Sequence, residues 1–85
     1  MTHDDARDRI RAFLAPHLAG RTLADDDDFF ALGYVNSLFA MQLALFLEKQ
    51  LEVTLTPKDM DFDNFRTVGG LARLVTSKKA VQELS

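Results

Sequence analysis

The chain has 85 residues, no cysteine and no tryptophan, and carries 13 acids against 10 bases. That length suits one domain with a small core, and 47% hydrophobic with 27% charged residues is the composition of a globular chain, not a disordered one. Lack of cysteine excludes disulfides, thiolate nucleophiles and Cys-ligated zinc, and no run of about 18 apolar residues is available to span a membrane.

Thr2 to Ala15 reads as the first helix. Thr2 and Asp5 have the spacing of a hydroxyl cap with a carboxylate three residues on, and Ala6, Ile10, Phe13 and Leu14 recur on one face. Pro16 is expected to end or kink it, since proline lacks an N–H and crowds the preceding turn. Ala19 to Asn36 has no periodicity and reads as a long loop, unusual in so small a domain and often functional. It holds the run Asp25–Asp28, and its Phe29 and Phe30 are expected to anchor it to the core.

Asn36 to Gln50 is the clearest helix, with Asn36 or Ser37 as N-cap. From Leu38 to Leu51, ten of fourteen residues are apolar. Leu43, Phe46, Leu47 and Leu51 suffice for a core face. Leu38, Phe39, Met41 and Leu45 then fall on other faces, and a domain this small cannot enclose a helix on all sides. An exposed apolar stripe is expected there, as a contact surface.

Val53 to Leu55 alternates like a short strand, but Thr56-Pro57 stops it, so it reads as an extended connection. Lys58 to Phe65 has room for a short helical turn. Thr67 caps a last helix through Leu71, Leu74 and Val75. Gly69 and Gly70 weaken its first turn by about 1 kcal/mol each, and the end, from 78 to 85, is expected to fray. The expected fold is all-α: a small four-helix bundle of three main helices and one short one, with a long loop between the first two. One domain spans 1–85, with its core at about 3–77.

Charge is unevenly placed. Residues 22–65 hold nine acids and two bases; the remainder holds four acids and eight bases. The acidic middle argues against nucleic acid and suits partners with basic docking surfaces. Asp59, Asp61 and Asp63 have the opening spacing of a calcium loop, but Asn64 and Gly70 stand where that loop needs Gly and Glu, so no metal is assigned. His3 and His17 are isolated, and no catalytic set is visible. Ser37 has two readings: a plain N-cap, or a modified serine whose anionic adduct meets the free N–H groups and positive end of the helix.

The string Phe30-Ala31-Leu32-Gly33-Tyr34-Val35-Asn36-Ser37-Leu38 resembles the attachment motif of acyl and peptidyl carrier proteins, an aromatic, a Gly three residues later, then Asp-Ser-Leu. The resemblance runs from about Ile10 to Val75. It implies a four-helix carrier, not an enzyme, with 4′-phosphopantetheine on the Ser37 hydroxyl, placed there by a separate phosphopantetheinyl transferase. The sulfur of such a protein belongs to its cofactor, which carries the acyl group as a thioester.

Asn36 replaces the usual Asp, and Phe39 and Gln42 stand where fatty-acid carriers are often acidic. Partner docking is therefore expected to lean on Asn36, Leu38, Phe39, Met41 and Leu45, with Asp61 and the runs Asp25–Asp28 and Asp59–Asp63 at the rim. The stretch from Val35 to Leu43, with Asp61-Phe62-Asp63-Asn64-Phe65, resembles free-standing carriers of hydroxymalonyl, methoxymalonyl or glyceryl-type polyketide extender units in secondary metabolism. The partners so implied are acyl-loading and tailoring enzymes and a polyketide synthase acyltransferase, serving a cytoplasmic monomer with no nucleic-acid or membrane partner. A peptidyl carrier, and a helical interaction module without a prosthetic group, are the alternatives.

Overall fold

A computed structural model describes residues 2–84, with side chains described except at 62 and 81–84. Four helices form a small bundle: α1 (His3–Leu18), α2 (Ser37–Gln50), a single-turn α3 (Phe62–Phe65) and α4 (Val68–Leu84). There is no strand among the described residues, and no helix is long and apolar enough to cross a membrane. Val53 to Leu55 forms no strand, the Val53 amide bonding the Leu47 carbonyl at 3.2 Å, and its alternation has a core reason: Val53 is buried while Thr54 faces out. The short turn expected within 58–65 divides into a 3₁₀ turn, Pro57–Met60, and α3.

The caps follow the residue types. Thr2 Oγ1 accepts from the Asp5 amide at 3.0 Å, and Thr67 Oγ1 from the Gly70 amide at 2.9 Å. Pro16 does not end α1, which continues to Leu18. Its position explains this: in the last turn a missing N–H forfeits one hydrogen bond, and no long helical segment follows to be deflected. The stop comes at Ala19, left-handed at φ 52°, and the Arg21 amide closes the turn on the Leu18 carbonyl at 2.9 Å. At the other end of the chain, α4 continues as helix through 78–84, the stretch expected to loosen; Ser85 lies outside the described residues.

Ala6, Ile10 and Leu14 of α1, Leu43 and Leu47 of α2, Leu51 beyond it, and Val68, Leu71, Ala72 and Val75 of α4 form one buried cluster. Backbone to backbone, α1 and α4 run together over the greatest length. Aromatic rings fill the α1–α2 seam, with Phe13 stacked on Phe46 at 4.3 Å and on Phe39 at 5.4 Å between centroids. The long loop is fastened by Phe29, which is fully buried and donates its amide to the Arg66 carbonyl. It is fastened again by the Asp25 carbonyl, which accepts the Gly69 amide at 2.8 Å. A Cβ on Gly69 would stand 3.2 Å from that carbonyl oxygen, so the glycine that weakens α4 as a helix former is what lets the loop approach it.

Candidate functional site

The site is the N-terminal end of α2 and the loop that delivers it. Gly33 has φ +78°, a conformation that strains other residues, and its amide bonds the Phe30 carbonyl at 3.1 Å. The turn it completes aims 34–36 at the helix start. Asn36 is the N-cap: its extended backbone precedes the first turn and its Oδ1 accepts from the Phe39 amide at 3.2 Å. Ser37 is therefore the first helical residue. It is exposed, and the cap reading of this serine is taken over by its neighbour. The amides of Ser37 and Leu38 have no intrahelical carbonyl to reach, and the first turn of α2 contains no acid. An exposed hydroxyl at an unopposed positive helix end is a fitting place for a phosphodiester.

The expected apolar stripe is present in part. Leu38, Met41 and Leu45 are 64%, 65% and 52% exposed. Phe39 is not on it: the residue is 4% exposed and packs its ring against Phe13 and His17, the latter edge-on at 4.5 Å. The periodicity explains the correction. Phe39 lies one helical turn before Leu43 and two before Phe46 and Leu47, which turns it toward α1. Beside the helix end lies a hollow of about 240 Å³ lined by His17, Tyr34, Val35, Asn36, Leu38, Phe39 and Gln42. Its walls come from two segments of the chain, the stretch 34–42 and His17 of α1, and the local string around Ser37 gives no sign of the second.

Six of the acids expected at the rim have internal tasks. Asp25 pairs with Arg7 at 2.7 Å and with Arg11. The Arg11 and Arg7 guanidiniums hold its carboxyl below the usual range. Asp28 accepts from the Ala31 and Phe30 amides at 3.0 Å and pairs with Arg66 at 2.5 Å, and these bonds lower its pKa as well. Asp27 accepts from the Ala24 amide at 2.8 Å. Asp59 pairs with Lys78 at 2.5 Å and accepts from the Thr56 amide and hydroxyl, which brings it to about 2. Asp63 pairs with Arg66, and Asp61 caps α3 by accepting from the Asp63 amide. The acidic middle of the sequence is thus met by bases folded back from both ends. One signal for this was readable: Arg7 and Arg11 are four apart, a spacing that places both on one helix face.

A family model described as a phosphopantetheine attachment site matches residues 10–75. No curated protein and no solved structure matches the chain.

Proposed function

The chain belongs to the phosphopantetheine-attachment family, carrier domains that bear a covalent 4′-phosphopantetheine, and on that premise we propose that Ser37 is the residue that holds it. Such domains are not catalysts; they work with phosphopantetheinyl transferases and with enzymes that handle acyl groups. When attached, the group supplies a thiol, which the 85 residues lack. The protein supplies the rest: an accessible hydroxyl, backbone N–H groups suited to the phosphate, and a surface for visiting enzymes. The observation that carries the assignment is the division of labour between Asn36, which caps α2, and Ser37, which is exposed and not the cap.

In this reading 1–85 is one carrier domain with its core at 3–77, a cytoplasmic monomer. Its docking face is Asn36, Leu38, Met41 and Leu45, with Asp61 at the edge. The cargo we propose is an unusual polyketide extender unit of the hydroxymalonyl, methoxymalonyl or glyceryl type, supported by the likeness of Val35–Leu43 and Asp61–Phe65 to carriers of that kind. A polyketide synthase acyltransferase would then be the receiving partner.

The test is incubation with coenzyme A, magnesium and a broad-specificity phosphopantetheinyl transferase, followed by intact-mass measurement. One added arm, mapped to Ser37 and absent in Ser37→Ala, is expected. An unmodified wild type beside a fully loaded control carrier overturns the assignment. Charging of the holo form by a glyceryl-loading enzyme supports the cargo, and charging only by an amino-acid-activating enzyme replaces it with an aminoacyl group.

A further inference from the structure

We infer that the hollow beside the α2 N-terminus is a resting seat for the amide-bearing stem of the 4′-phosphopantetheine arm. This rests on Ser37 as the tether. The hollow is adjacent to that residue by construction, since Asn36 and Leu38, its two chain neighbours, both line it. Its floor is the ring of Phe39. Its walls are rings with polar ends: His17, edge-on to Phe39, and Tyr34, whose face is covered by the Arg21 guanidinium at 4.0 Å. Arg21 is itself fixed by donating to the Leu18 carbonyl at 2.8 Å, so the Tyr34 wall is set before any ligand arrives. Gln42 adds a side-chain amide, which both donates and accepts.

An apolar floor with a few converging polar groups is the usual make-up of a small-molecule site. The stem matches it in kind, because amides and a hydroxyl alternate along it with methyl and methylene groups. Its contacts need not be strong. A tethered group is present at an effective concentration in the millimolar range, so weak contacts suffice to populate the seat. Leu38 belongs both to the seat and to the exposed stripe Leu38–Met41–Leu45. An enzyme that covers the stripe therefore competes for one wall of the seat and favours release of the arm toward its own active site.

The experiment compares the isotopically labelled apo and holo forms of the full chain by NMR. Expected are shifts of the Gln42 side-chain amide and of the Tyr34 and His17 ring signals. Nuclear Overhauser contacts should run from the stem's geminal methyls to the Phe39 or Tyr34 ring. In holo Gln42→Ala those contacts should weaken at least twofold. Perturbation confined to 36–38, or contacts to core residues that do not line the hollow, such as Phe65 and Val68, overturns the seat. Peptide mapping reads the tether separately. An arm on another residue overturns the Ser37 assignment and the seat with it, whereas an arm at Ser37 without ring contacts overturns the seat alone.

Discussion

Two adjacent side chains at the start of α2 divide the work of a helix terminus. Asn36 gives its oxygen to the Phe39 amide, while Ser37, one position on, is exposed. Their substitutions should separate accordingly. Asn36→Ala removes a cap and should cost about 1 kcal/mol. Ser37→Ala should stay within about 0.5 kcal/mol, as exposed changes do, while losing the mass shift entirely. Urea denaturation of both variants checks the first pair of values. A larger loss for Ser37→Ala would mean that its hydroxyl holds the fold and is not free for modification.

Among the elements, α2 carries two unlike faces. Leu47 is fully buried, and Leu47→Ala should cost ~2–5 kcal/mol. Met41→Glu and Leu45→Glu lie on the exposed face and should change stability by no more than about 0.5 kcal/mol. Their effect belongs on partner-dependent acyl loading, where loss of one good contact, about 1.4 kcal/mol, is a tenfold lower rate at limiting concentration. Midpoint shifts comparable to that of Leu47→Ala would place both residues in the core. Much of this was legible beforehand. Helical period and cap residues identify α1, α2 and α4, and the local string around Ser37 points to the site. Phe39 was misplaced because a helix that is apolar nearly all round blurs the edge of its core face; the spacing to Leu43 and Phe46 puts Phe39 on that face, and the rings of Phe13 and His17, from a distant segment, cover it there. Likewise, the four aspartates look like a solvated patch until Arg7, Arg11 and Arg66 are brought to them by the fold.

At the level of the whole molecule, those pairs tie the long loop and the 3₁₀ turn to α1, α4 and the segment between α3 and α4. They also set how the protein responds to acid. Asp59 titrates near 2 when folded, and Asp25 and Asp28 are shifted the same way from an ordinary 3.8. A carboxyl that releases its proton more readily in the folded chain stabilises it fully above the unfolded value. That contribution is lost as pH falls through the folded one. Stability should thus be level above about pH 5 and decline from there to about pH 2. Asp59→Asn should start lower at neutral pH and lose less on acidification, as read by urea midpoints across the range. Parallel curves for the two proteins would show that the Lys78 pair does not matter. A last consequence comes from Tyr34. The chain has a single tyrosine and no tryptophan, and that tyrosine stands in the wall of the hollow under Arg21. Ultraviolet emission from unlabelled protein is therefore a lamp at one address, and its intensity or anisotropy can follow whatever enters or leaves that corner in real time.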